Sequence, residues 1–335
     1  MLPATIIERL LLPESPPQEA SFYFGLEAYL RQHLPEDRDY LFFWQTEPTI
    51  MLGKYQELYA EVDVQAMREA GIVPVRRPSG GGCIYTDHGS LQFSQLSRLR
   101  TEGQGMQDFA AAVLSACRSL GLAAEFSGRN DLLLDGRKFS GNAQYRQGGV
   151  VIHHGSILLD TDLSRLVSLL RVPEIKLESK GIRSIRSRVT NLYDTQRFPL
   201  SAFYREIRRA YEAQGYRWQE RDLSAQEFQG ALRESSAFCP ELAYTGLSLA
   251  SMITQTGRFS CGTVELKLEI RQGEIRDCSL TGDFFASGEP SEISRALQGV
   301  LYRQSAVLER LQSVPVAAII PGLSAEELAR LIPDV

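Results

Sequence analysis

Asp135-Gly136 fixes more of this chain's geometry than any other pair of residues. The pair stands between Asp131–Leu134 and the run beginning at Arg137. An Asp-Gly pair between two strands suits the type I′ turn, whose two central residues both need positive φ. The sequence is thereby committed to a tight β-hairpin carrying Arg137-Lys138-Phe139-Ser140-Gly141-Asn142 on its second strand. Some fifty residues earlier stands Arg76-Arg77-Pro78-Ser79-Gly80-Gly81-Gly82-Cys83. Three successive glycines lack Cβ atoms, so a ligand can come close to their backbone. Successive amides in such a loop can form an anion-binding concavity. Two arginines before the loop and a lysine on the hairpin add positive charge, and the combination points to phosphate or carboxylate chemistry.

The rest of the pattern alternates helices with short strands. Helical spacing runs over 21–34, 62–70, 109–120 (Asp108 as N-cap) and 201–214 (Ser201 as cap). Strands are expected at 40–44, 49–52, 73–77, 91–96 and 150–160. This is an α+β chain, a mixed sheet flanked by helices, rather than a regular βαβ series. Towards the C-terminus, 257–270 and 274–280 read as a hairpin, 291–311 as one long helix and 324–331 as a short one. The stretch 220–244 reads as polar and irregular. At 335 residues two domains are the prior, here 1–250 and a small α+β unit at 251–335.

Composition removes several classes of function. A net charge of −5 gives no basic face for nucleic acid. The five cysteines are odd in number and lack a CxxC pair, against both a disulfide framework and a zinc site. Leu10-Leu11-Leu12, ended by Pro13, is too short for a secretory leader, and no run approaches a membrane span. A cytoplasmic monomer that binds neither membrane nor nucleic acid is expected. Gly136 to Gly141 has the glycine spacing of a Walker loop, but Asn142 takes the lysine slot.

Taken together, Arg76-Arg77-x-Ser79-Gly80-Gly81-Gly82, Gly128-Arg129-Asn130-Asp131-Leu132, Gly136-Arg137-Lys138-x-Ser140-Gly141, His153-His154-Gly155 and Lys180-Gly181-Ile182 to Asn191-Leu192 resemble the lipoate–protein ligase A family, in order and spacing. The resemblance spans nearly the whole chain. It implies a biotin/lipoate ligase-like catalytic domain with a C-terminal accessory domain. It also implies two steps: lipoate and ATP give lipoyl-AMP and pyrophosphate, and an acceptor lysine then takes the acyl group. The implied acceptors are lipoyl domains of 2-oxo acid dehydrogenase E2 subunits and the glycine-cleavage H protein.

Residue by residue, Lys138 matches the family's essential lysine. A hairpin lysine is ordinarily a surface residue; the surrounding motif singles this one out as a compact charge between carboxylate and α-phosphate. Asp131 is the candidate ligand for Mg2+, which takes one or two carboxylates plus phosphate oxygens; the lesser alternative is that Asn130 and Asp131 open the strand as an Asx turn. Arg77 and Ser79 are candidates for phosphate or carboxylate, Arg77 through its planar fork. Gly80, Gly81, Gly82, Cys83, Ile84 and Tyr85 would give backbone contacts, with Asn130, Ser140 and Gly141 beside the lysine. Adjacent strand residues face opposite ways, so one histidine lines the pocket, and His154 is favoured over a satisfied core role. Lys180 belongs to a basic run (Lys176, Arg183, Arg186, Arg188) that would cover the adenylate and exclude water.

Three positions depart from the family: Thr86 replaces a histidine, Ser90 an asparagine and Pro78 a small polar residue. These bear on specificity and turnover, and His88 is the candidate replacement for the missing imidazole. A lipoyl or octanoyl transferase on the same fold needs an activated thiolate, but its two usual cysteine places hold Ser127 and Gly149 to Ile152. A lipoyl-nucleotide binder with impaired transfer is the other alternative.

Overall fold

The computed structural model describes residues 5–17, 19–98, 104–127, 130–171, 188–243 and 253–332. They fall into two compact units. One holds residues 1–51, 62–75 and 84–242; the other holds 52–61, 76–83 and 243–335. The glycine loop therefore groups with the C-terminal segment, a clustering that a boundary near residue 250 does not anticipate.

The first unit is built on a mixed sheet. Its strands are β1 (Ile6–Leu11), β2 (Arg38–Trp44), β6 (Ser90–Arg98), β7 (Ala124–Ser127), β8 (Asp131–Leu134), β9 (Arg137–Gln147), β10 (Val150–Leu158) and β11 (Arg217–Asp222). Their spatial order is β11-β1-β2-β6-β10-β9-β8-β7. β1 runs parallel to both β11 and β2, and the remaining pairs are antiparallel. Three short strands, β3 (Thr49–Leu52), β4 (Val73–Arg76) and β5 (Ile84–Thr86), form a separate ladder in the order β4-β3-β5.

Both faces of the large sheet are covered. Phe93, Phe109, Val113, Phe139, Phe203 and Tyr211 belong to a core between the sheet and the helices Gln104–Ser119 and Leu200–Ala213. Tyr23, Leu26, Leu30, Phe42 and Trp44 belong to a second core under the helix Ala20–His33. Burying these side chains is the main drive for assembling the layers.

Several expectations need correction. The described part of 220–244, residues 220–243, carries regular elements: β11 is followed by the helix Ala225–Glu234, opened by a Ser224/Glu227 capping box. Asp108 lies inside the helix Gln104–Ser119, not at its cap, and Leu200–Ala213 begins behind Pro199 with no side-chain cap.

In the second unit, 257–280 is part of a three-strand meander, β12 (Ile253–Phe259), β13 (Gly262–Arg271) and β14 (Glu274–Gly282). The long helix expected at 291–311 is two, Pro290–Leu297 and Gln304–Leu311, separated by Gly299 at φ +77°. Among the described residues no helix is long and apolar enough to cross a membrane.

Candidate active site

The hairpin turn forms as its sequence demands, with Asp135 at φ +52° and Gly136 at φ +73°. Just past it the ladder breaks step. Leu133 pairs with Lys138 and Leu132 with Ser140, so Phe139 is an extra residue on β9. Such a bulge re-aims the side chains that flank it. Directly opposed residues share a face. Lys138 therefore joins the face of Leu133, Asp131 and Gly141, and Ser140 turns to the other side with Leu132 and Ile157. The register carries Lys138's face onward to Ala143 and His154.

The backbone of Lys138 is clamped as well. Its N–H donates to Arg188 O at 2.7 Å, and its carbonyl accepts from Thr190 N at 2.9 Å. Its ammonium stands 2.7 Å from Asp131 Oδ1, with both side chains a little over one-third exposed. The contact is one of charge and not a directed hydrogen bond, since Asp131 Oδ1 is a buried oxygen with no hydrogen-bond partner. A Cβ on Gly141 would lie 2.9 Å from both Cε and Nζ of Lys138; the glycine gives the lysine its seat. Ser140 Oγ is buried without a partner on the opposite face, so its hydroxyl does not share Lys138's surroundings.

Asn130 donates from Nδ2 to Asn142 O at 2.8 Å, and Asn142 Nδ2 returns the bond to Asn130 O at 3.0 Å. The Asn130 amide thus ties β9 to the residue before β8. It does not open the strand as a free Asx group.

The two histidines do face opposite ways. His153 packs edge-on against Phe93 and Phe109 with Nε2 3.2 Å from Asn142 Oδ1. His154 is 4% exposed, and its Nδ1 lies 2.9 Å from Glu27 Oε1. Ser94 Oγ donates to the same oxygen at 2.6 Å, Tyr145 donates to Oε2 at 3.2 Å, and Trp44 Nε1 donates to Ser94 Oγ at 3.1 Å. Burial and the Glu27 carboxylate push the Tyr145 hydroxyl far above its ordinary pKa. His154 is thus part of a buried polar network and not a free pocket wall. Sequence reasoning missed Glu27, whose signal was a carboxylate between Leu26 and Leu30 on the buried face of its helix.

Positions 86–90 are likewise structural. Thr86 Oγ1 lies 2.9 Å from Thr46 Oγ1 in the interior, and Ser90 Oγ donates to Asp87 O at 2.9 Å. His88 is exposed and faces Glu47 at 3.2 Å, so it does not enter the interior as a replacement imidazole. Tyr85 is buried, and its hydroxyl is pushed up to about 12, chiefly by that burial. Ile84 packs at the margin of the core under Ala20–His33. Lys180 lies outside the described residues.

In the second unit, the arginines point inward. Arg77 is 6% exposed. It donates from Nε to Ser79 Oγ at 3.1 Å, and from Nη2 to Gly80 O at 2.8 Å and Gly82 O at 2.7 Å. Burial lowers its pKa to about 10, so it stays cationic at neutral pH. Arg76 donates to Gly53 O, Gln56 O and Ala243 O. Each guanidinium gathers backbone carbonyls, and the Arg77 fork proposed for an anion is buried within its own loop.

The glycines then separate by role. A Cβ on Gly80 would lie 2.3 Å from Phe284 O; Gly81 sits at φ +91° and donates its N–H to Phe284 O at 3.1 Å; Gly82 is exposed with open space around it. Among the described residues the amides of Gly80, Gly82 and Cys83 donate to no backbone carbonyl. With Arg77 drawing the carbonyls to one side, these amides are the loop's candidates for an anion. Cys83 is half-buried, and burial raises its thiol well above the ordinary range, with Glu61 reinforcing and Arg77 opposing the shift.

The first unit holds a clamped lysine beside a carboxylate, and the second holds a glycine loop whose carbonyls gather on a buried arginine; each is suited to anionic reactants, the kind acyl-activating ligases handle. The chain belongs to the lipoyl protein ligase A/B family: residues 19–212 match the lipoyl protein ligase A/B catalytic domain and residues 248–332 the bacterial lipoate protein ligase C-terminus. It is 34% identical over 325 residues to the lipoate-protein ligase LplJ of Bacillus subtilis, covering 92% of this chain and 95% of that one. Lipoate–protein ligase 1 of Staphylococcus aureus is 30% identical over 320 residues, again covering 92% and 95%. A bipartite lipoate protein ligase from Thermoplasma acidophilum superposes with a TM-score of 0.62 at 25% identity, over 70% of this chain and 92% of that one. Plasmodium falciparum LipL1 gives 0.76 at 16% identity over 95% of both, a likeness of fold. The chain is thus a lipoate–protein ligase, an enzyme.

Proposed function

We propose that Lys138, Asp131 and the amides of Gly80, Gly82 and Cys83 carry an ATP-dependent ligation in which lipoate becomes lipoyl-AMP and then a lipoyl-lysine amide. In the first step a lipoate carboxylate oxygen bonds to the α-phosphorus while pyrophosphate leaves. Two anions repel on approach, so fixed positive charge is worth most where they meet. The Lys138 ammonium supplies it from a strand position that the bulge, the 188–190 clamp and Gly141 together define. The loop amides take phosphate oxygens, and Arg77 biases that loop towards anions from below without touching them. In the second step the acceptor amine attacks the acyl carbon, AMP departs with the bonding electron pair, and the amine loses a proton.

Asp131 fits a magnesium ion brought in with the nucleotide. Its Oδ1 lacks a hydrogen-bond partner, and no group of three or more His, Cys, Asp or Glu gathers among the described residues, so it would be a single carboxylate shared with phosphate. When bound, the ion neutralises phosphate charge. The acceptor in this reading is a lipoyl domain, as in the Thermoplasma acidophilum lipoylation system of a bipartite ligase and its E2 lipoyl domain; E2 subunits and the H protein are the candidates. Residues 1–250 would carry catalysis and 251–335 an accessory role. The transferase alternative fares worse, because the Cys83 thiol is held protonated.

The observation that carries this reading is the clamped backbone of Lys138, which brings its ammonium beside Asp131 and Gly141. ATP–pyrophosphate exchange with lipoate, octanoate and biotin tests it. Exchange with lipoate that disappears in Lys138→Ala is expected; undiminished exchange in that variant would remove Lys138 from the chemistry.

A further inference from the structure

The pair Lys138–Asp131 has a consequence for the order of events. Nζ stands 2.7 Å from Asp131 Oδ1, the same oxygen that is buried and accepts no well-directed hydrogen bond. An ammonium resting on a carboxylate without a directed bond, at more than one-third exposure, is weakly held. Among the described residues nothing else lies within 4 Å of the Gly141 Cβ position. The backbone of Lys138 is fixed by Arg188 and Thr190; the side chain beyond it is free to turn about its own torsions.

We propose that Asp131 is a parking carboxylate for Lys138, and that a divalent cation and the ammonium compete for it. The proposal rests on the reading of Asp131 as the metal-holding residue and goes beyond it. Resting, the lysine charge is quenched against Asp131. A cation arriving with the nucleotide takes Oδ1, the ammonium leaves, and the freed charge turns to the incoming carboxylate and α-phosphate. Lys138 is thus withheld until the metal nucleotide is present. Asp131 has two functions in sequence: it positions the lysine at rest and holds the ion afterwards.

Mn2+ binding to the full-length protein, followed by electron paramagnetic resonance without nucleotide or lipoate, tests this apart from any activity. Removing the competitor in Lys138→Met should tighten Mn2+ by roughly three-fold, in keeping with the strength of a partly exposed pair. Arg137→Gln removes an adjacent charge whose partner across the ladder is Leu134, on the face opposite Lys138, and should leave the affinity unchanged. In an Asp131→Asn background the Lys138→Met effect should vanish.

Equal tightening in Arg137→Gln would mean a general charge effect and would overturn the proposal. So would unchanged or weaker binding in Lys138→Met, an Asp131→Asn background that still shows the gain, or a protein that binds no Mn2+ with or without Lys138. None of these results bears on whether the enzyme ligates lipoate, since pyrophosphate exchange decides that separately.

Discussion

Gly141→Ala should separate catalysis from stability. The new methyl would stand 2.9 Å from Cε and Nζ of Lys138 and, among the described residues, meet nothing else within 4 Å. Carbon contacts settle at about 3.5–4.0 Å, so the lysine head must retreat by roughly 0.6–1.1 Å. Those atoms end a flexible chain, so the sheet need not move. Gly141 is not among the residues at positive φ, and replacing glycine where the backbone permits it stabilises by about 0.4–1 kcal/mol through the unfolded chain. The melting temperature should therefore hold or rise slightly. The rate should not hold: a misplacement of about 1 Å in a reacting constellation costs on the order of 10²-fold, equivalent to about 2.7 kcal/mol of barrier. Pyrophosphate exchange with lipoate and ATP reads the rate, and a thermal melt reads the fold. A folded variant with wild-type exchange would show that the seat Gly141 leaves for the Lys138 side chain does not matter to the reaction. A variant that unfolds would show that Gly141 serves the sheet instead.

Glu27→Ala should be severe for stability, because it strips the acceptor from His154, Ser94 and Tyr145 in a fully buried setting; a loss of about 3–5 kcal/mol in denaturant unfolding is expected, and a loss below about 1 kcal/mol would refute the network's importance. Ser140→Ala removes a buried hydroxyl without a partner, so stability should stay level or rise by up to about 1 kcal/mol with exchange within about two-fold, and a collapse of exchange would place that hydroxyl in the chemistry after all. Cys83 should resist alkylation by iodoacetamide near neutral pH, since its thiol is raised in the fold. The sign follows from proton counting: above about pH 8.5 the unfolded thiol loses a proton that the folded one keeps, so this residue lowers stability as pH rises. Cys83→Ser should flatten the alkaline slope of the unfolding free energy, and an identical slope would contradict the burial assigned to it.

What could be read from the chain depended on whether a local rule was the deciding one. Asp135-Gly136 was legible because its turn chemistry leaves few options, and both residues sit at positive φ. The facing of Lys138 was not. Strict alternation from the turn would place Lys138 with Ser140 and Asn142. The clash in parity becomes visible only with the cores known: Phe139 belongs to the core on one face and Tyr145 packs against the core on the other, although both positions are odd. One extra residue must therefore lie between them, and the register places it at Phe139 itself.

The partners of the arginines were not legible for a related reason. Sequence shows that Arg76 and Arg77 carry charge but not which carbonyls can gather around them, and the answer lies at Gly53, Gln56 and Ala243 as much as within the loop. A guanidinium with carbonyl acceptors close at hand is better satisfied inward than facing water. That inward turn also gives the loop its use: with the carbonyls of Gly80 and Gly82 held by Arg77, the chain's planar peptides direct the following amides the other way. The Gly81 amide meets Phe284 O, which leaves Cys83 with Gly82 at the exposed end. In the proposed reading the anion is held by the amides of Gly80, Gly82 and Cys83 and not by those of all three glycines, and the buried Arg77 acts on it from within the loop.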